Sequence, residues 1–189
     1  VIKKEKKGEV MIQEAGKQID KNLAWFKLAD LIARGEREKA LNVFRLLSHS
    51  LSDRAYVLQV EGDILWYLDD KMSMERYKQA AFLYQKEKRW VDAISIYEHI
   101  LTQNTQSKDI LFTLMVFYTM IDWQDRLAER FAQLVAISSD DQLEKYLIEL
   151  VSIVKEAADE PKNKWFFSWI KVALEAVPRA VSERIESRL

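Results

Sequence analysis

The chain of 189 residues contains no cysteine, two prolines, four glycines and two histidines. Without cysteine there is no disulfide, no thiolate metal ligand and no cysteine nucleophile, a composition that suits a reducing compartment. So little proline and glycine excludes a design rich in sheet turns or irregular loops, and long helices with short connections are expected instead. An excess of one charge is also missing. The 29 basic residues nearly cancel the 30 acidic ones, which argues against a nucleic-acid surface built on a large positive field. No apolar run approaches the roughly 18 to 20 residues of a membrane span, and no signal peptide opens the chain. A soluble, cytoplasmic protein is therefore expected. Because the first residue is Val1 and not Met, the chain is also expected to be trimmed from a longer one.

What is present is a hydrophobic share of 49% with 11% aromatic residues, enough to bury a sizeable core. The spacing of those residues is helical. Tyr77, Ala80, Ala81 and Tyr84 recur at i, i+3, i+4 and i+7, and Ala93, Tyr97 and Ile100 share the face of a following helix, with Arg89 and Trp90 at the turn between them. A shift of about 34 residues lands on Leu111, Leu114, Met115 and Tyr118, then on Leu127, Phe131 and Leu134. An earlier copy reads Trp25, Leu28, Ala29 and Ile32, then Ala40, Phe44 and Leu47, with its turn at Gly35. A partial copy holds Gly62 and Leu65, with Glu61 in a slot that should be apolar.

In order and spacing these positions resemble the tetratricopeptide repeat. The closing proline of that family is missing from every copy, with Ser52, Thr105 and Ser139 near its place. The resemblance implies an all-α, right-handed α-α superhelix of hairpins, here of about ten to eleven helices. The expected organisation is a basic lead and capping helix over 1–20, a repeat array over 21–139, and C-terminal capping helices over 140–189, all in one continuous domain. The best copies, anchored at Ala40 and Ala93, stand 53 residues apart, one period plus one further helix. The helix from Ser73 to Lys86 is therefore expected to pair about equally with the helix before it and with the one after it. The long, irregular hairpins of the soluble attachment proteins of vesicle fusion are similar and offer an alternative within the same architecture.

The helix plan follows from local signals. The N-terminal cap is expected to use Val10, Met11, Ala15 and Ile19. Helices are expected over 22–34, 36–50, 53–68, 73–86, 90–102, 107–120 and 122–137, with Gly35 as a stop, turn and cap chemistry from the segment 48–53, and Ser73 as a cap. Ser139 and Gln142 have the spacing of a capping box for a helix from Asp140 to about Ala157. Pro161 suits the first turn of the next, which carries Trp165, Phe166, Phe167, Trp169, Ile170, Val172 and Leu174. Pro178 ends it before a short amphipathic helix with Val181, Ile185 and Leu189.

Catalytic chemistry has little to draw on. His49 and His99 stand beside no nucleophile motif, and no Gly-rich phosphate loop, HExxH, EF-hand loop or GxSxG occurs. No cofactor, no metal and no enzymatic activity are expected. In a stack of hairpins the first helices line a concave face, and their residues off the packing stripe are free to meet a partner. That places Phe26 and Asp30, then Lys78, Phe82 and Gln85, then Phe112, Val116 and Thr119 on a protein- or peptide-binding groove, unless further helices of the chain cover them. The carboxylate clamp of chaperone cofactors that these repeats resemble is not expected, because Lys27, Lys78 and Lys86 lack its Asn and Arg partners. A third surface is the aromatic helix, where Trp165, Phe166 and Trp169 either close an internal cap or form a partner or homodimer interface. The expected role is a non-catalytic interaction scaffold or adaptor. The alternatives are a secretion-type chaperone cradling an extended client, or the repeat domain of a larger enzyme or regulator.

Overall fold

The computed structural model describes residues 22–157 and 160–189, with the backbone alone for 160–163. The basic lead and the capping helix expected before residue 20 lie outside the described residues. Every regular element described is helical. They are α1 (22–33), α2 (Arg37–Ser48), α3 (Arg54–Tyr67), α4 (Met72–Lys86), α5 (Trp90–Gln103), α6 (Lys108–Met120), α7 (Gln124–Ile137), α8 (Asp140–Glu156), α9 (Glu160–Ala173), a 3-10 turn (Leu174–Ala176) and α10 (Arg179–Glu186). None of them is long and apolar enough to cross a membrane. Among the described residues the fold is all-α, with consecutive helices packed in pairs. It divides into two compact units, the first ending at Glu87 and the second beginning at Lys88.

In the first unit the apolar stripe of α1 meets α2 and α3. Leu28, Leu31, Ala40, Leu41, Phe44, Leu47, Ile64 and Leu65 form one buried cluster, with Trp25 and Ile32 packed against it. The small slot expected at Ala29 is not used, because Leu31 lies with Leu28 on the inner face while Ala29 points to solvent. Helix α4 packs along α3. Gly62 makes that approach possible, since a Cβ there would stand 2.8 Å from the Tyr77 ring. Tyr77, Ala80, Ala81 and Tyr84 are all buried on the facing stripe. Their hydroxyls are placed as well as their rings, Tyr77 donating to Asp63 at 2.8 Å and Tyr84 to Gln59 at 2.8 Å. Glu61 sits in its apolar slot without an orphan charge, because Arg76 of α4 reaches it at 3.1 Å. The second hairpin expected of α4, with the helix from Trp90, would join the two units and stays an expectation.

In the second unit α6 pairs with α7, α5 packs on α6, and α8, α9 and α10 close the remaining sides. Ala93, Leu111, Leu114, Met115, Leu127, Leu134, Leu147, Leu150, Phe166 and Ile170 are all fully buried. A charged group joins them. Arg130 of α7, 6% exposed, binds Glu98 of α5 through both carboxylate oxygens, at 2.9 Å and 2.7 Å, and Tyr118 of α6 donates to the same carboxylate. Glu129 and Gln133 take the remaining guanidinium donor at 3.0 Å and 2.9 Å. Three helices are thereby tied at one point by a charge that would be costly to bury alone.

The turns explain the period. Gly35 and Asp69 hold φ of 70° and 53°, and Lys88 and Asp122 hold 58° each. Within each unit the two left-handed residues stand 34 positions apart. Three of these turns close with the same backbone bond, from Glu36 to Leu31, from Asp70 to Leu65 and from Trp123 to Tyr118, each 2.9 Å. That is the six-residue bond of a helix ended by a left-handed residue. From the segment expected to supply a cap it is Asp53 that caps α3, accepting from the Tyr56 amide at 3.0 Å, and the Ser139–Gln142 capping box opens α8. Ser73 does not cap α4. It is buried inside the first turn, and the Met72 amide is taken by Asp70 at 2.9 Å. Asp122 is the turn residue and not the start of a helix, so α7 begins two residues later than expected.

Candidate interaction surfaces

The faces left over by this packing are the candidates. On α4 the stripe Tyr77, Ala80, Ala81 and Tyr84 is turned to α3, so Lys78, Phe82 and Gln85 at i, i+4 and i+7 point the opposite way and are exposed. Phe82 is 55% exposed, with the Lys86 ammonium 5.2 Å from its ring centre. On α1 Phe26 is 74% exposed and Leu23, one turn earlier, 67%. Asp30 is on the same side but already engaged, its two oxygens meeting Arg34 at 3.1 Å and 2.5 Å. Leu23 was legible as the i−3 neighbour of Phe26. Leu46 and Tyr67 are exposed too, without a sequence pattern that marks them.

The three α6 positions behave differently because α8 lies across α6. Phe112 is half-buried against Tyr146, the ring centres 5.1 Å apart, and the Tyr146 hydroxyl donates to Asp109 at 2.7 Å. Burial and the neighbouring Asp109 push that phenol up to about 12. Val116 is half-buried. Thr119 is 3% exposed, its hydroxyl donating to the Met115 carbonyl at 2.9 Å. The expectation that Thr119 faces a partner is therefore corrected: its side chain belongs to the interior.

The aromatic helix α9 is not apolar all round. Phe166 and Ile170 are fully buried, so Phe166 offers no interface, while Lys164, Ser168, Lys171 and Val172 form an open side. Trp165 and Trp169 stand between the two. The Trp165 indole N–H donates to Asp122 at 2.7 Å, and Trp169 meets Phe131 edge-on at 5.5 Å. Together with Gln124, Lys164, Ser168 and Val172 they line an open hollow of about 610 Å³. Trp123 is 45% exposed, with the Arg126 guanidinium 6.0 Å from its ring centre.

The histidines stay apart, His49 exposed after α2 and His99 half-buried on α5. Among the described residues no group of histidines and carboxylates is arranged to hold a metal ion. What these surfaces offer chemically is contact: exposed rings, Phe82 and Trp123 among them each near a cation, beside helices whose other faces are closed.

No family model matches the chain, and no curated protein matches it. Among solved structures, similar chains include the MamA RS-1 ArsTM double mutant, 14% identical over 82% of this chain and 95% of that one at a TM-score of 0.34. MamA 41-end from Desulfovibrio magneticus RS-1 is 14% identical over 82% and 93% at 0.35. A further MamA crystal structure is 12% identical over 89% and 94% at 0.35. TM-scores this low leave the fold to be argued from this chain's own helices.

Proposed function

We propose that this chain is a non-catalytic protein-interaction module that holds a peptide or helix of a partner through apolar anchors on α1 and α4. The observation that carries it is the exposure of Phe26 and Phe82 on helices whose opposite faces are fully engaged. A phenylalanine more than half open to water contributes nothing to its own core. In contact with a partner it is the type of ring that dominates binding energy. Lys78, Gln85 and Lys86 around Phe82 supply a polar rim. The alternative of carboxylate capture is disfavoured because Lys27, Lys78 and Lys86 lack the Asn and Arg partners of such a clamp.

The test is a pull-down from native lysate with the wild type beside a Phe26→Glu, Phe82→Glu variant. Partners retained by the wild type are expected to drop by about tenfold or more with the variant, since each buried anchor contributes on the order of 2 kcal/mol. Identical partner lists from both, with unchanged circular dichroism, would remove α1 and α4 as the working surface.

A further inference from the structure

Beside the start of α7, two indole rings of α9 stand as fixed walls of the open hollow. Trp165 and Trp169 are one turn apart, about 6 Å along the helix axis. Both lean on the buried Phe166 ring, at 6.1 Å and 5.8 Å between centres. Each is also held from a second side, Trp165 by the bond from its indole N–H to Asp122 and Trp169 by its edge-on contact with Phe131 of α7. Rings fixed in advance lose little freedom when a ligand meets them.

The groups around these rings are one-sided in their chemistry. Lys164 is exposed, and no carboxylate lines the hollow. The Trp169 indole N–H meets no acceptor among the described residues and is not sealed from solvent. Ser168 gives its own proton to the Lys164 carbonyl at 3.0 Å, so its oxygen and that of Gln124 are the only side-chain acceptors in the lining. Val172, 65% exposed, adds aliphatic surface. An occupant that fits has apolar rings, presents oxygens to the indole N–H and the ammonium, and brings few N–H groups of its own. Proline-rich chain has all three properties. Proline carries a ring and no N–H, and the polyproline II helix leaves its carbonyls free of internal bonds. Its rise of about 3.1 Å per residue sets prolines two positions apart about 6 Å from each other, in step with the two indoles. An open hollow also favours a chain that passes across it over a small molecule, which a pocket encloses.

We infer that this hollow is a docking site for a proline-rich segment of a partner protein in the polyproline II conformation. Trp165 and Trp169 pack on its rings, the Trp169 N–H donates to a backbone carbonyl, and Lys164 meets an acidic residue that flanks the prolines. The site lies in the second unit and stands or falls independently of Phe26 and Phe82.

The probe is a synthetic peptide of about ten residues in which prolines alternate with alanines and two glutamates close one end. Nitrogen-15 spectra of the full chain hold one indole N–H signal for each of its six tryptophans, and Trp165→Phe and Trp169→Phe assign the two that line the hollow. Both signals are expected to move on titration with the peptide and to stay in place with a control in which alanine replaces every proline. Val172→Asp is expected to weaken binding about tenfold. It changes an exposed position, so the test holds even where a tryptophan variant fails to fold. Lys164→Ala is expected to weaken binding less and to lower its salt dependence. Stationary signals at millimolar peptide overturn the proposal, as does equal binding of the alanine control. Benzoate moving both signals where the peptide moves neither would assign the hollow to a small aromatic carboxylate. Signals that shift on dilution of the chain alone, with no response to the peptide, would assign it to a second copy, and either result overturns the proline-rich reading.

Discussion

At the scale of single residues the fold is decided by a few atoms in places where helices touch. Gly62 is the clearest, because the Tyr77 ring occupies the position of the missing Cβ at 2.8 Å. That ring is closed in on all sides at 1% exposure and is pinned by its bond to Asp63, so it cannot turn aside. Gly62→Ala is expected to lower the urea unfolding free energy by about 2 kcal/mol despite the better helix propensity of alanine. The opposite sign is expected at Asp69, whose φ of 53° is strained for a side chain. Asp69→Gly is expected to raise stability by about 1 kcal/mol in the same measurement. Neither effect was readable in advance with equal ease. Gly62 stood in the small slot of the repeat pattern, whereas nothing in the letters marks Asp69 as left-handed until its neighbours close the turn. Ala29 and Thr119 show where the pattern misleads. Adjacent helical positions are about 100° apart, so a slot assigned one place off the true stripe exchanges interior for solvent.

At the scale of elements, polar ties do what hydrophobic spacing cannot announce. Glu98, Tyr118 and Arg130 come from three different helices, so no window of sequence holds them together, and their grouping appears only in space. Arg130→Met is expected to cost about 3 kcal/mol in thermal or urea unfolding, because it leaves the Glu98 carboxylate without its cation and with the Tyr118 hydroxyl alone. The further change Glu98→Leu is expected to recover part of that loss, and additive losses would exclude the coupling. Asp70 is a second tie. It caps α4 and meets Arg37 of α2 at 2.6 Å. The Met72 amide first, and Arg37 second, hold its carboxyl below the usual carboxylate range. A lowered folded value means that its stabilisation is complete above the unfolded pKa, roughly 4, and is lost as pH falls through the folded value. The melting temperature of Asp70→Asn is therefore expected to lie below that of the wild type at pH 6 and to converge with it towards pH 2. The described helices were almost wholly legible, down to the Ser139 capping box, because propensity, periodicity and punctuation all agreed.

At the scale of the molecule, the sequence announces its period and hides its surfaces. Recurrence at 34 positions survives as the spacing of the left-handed turns within each unit, so the hairpin plan was visible in the letters. Which helix faces stay open was not, since covering a face depends on elements far away in the chain. The α8 helix, which begins 28 residues after Phe112, takes Phe112 away from solvent, while Phe26 and Phe82 keep their exposure. A partner survey with single variants is expected to follow the same division: Phe82→Glu alters capture while the fold persists, whereas Phe112→Glu lowers stability by about 2 kcal/mol through its lost packing on Tyr146. The indole of Trp165, clasped by the Asp122 carboxylate, brings a practical benefit. Any molecule that enters the neighbouring hollow and loosens this clasp alters the ultraviolet emission of one of six tryptophans, so occupancy is readable from the protein's own light, and Trp165→Phe identifies the source of the signal.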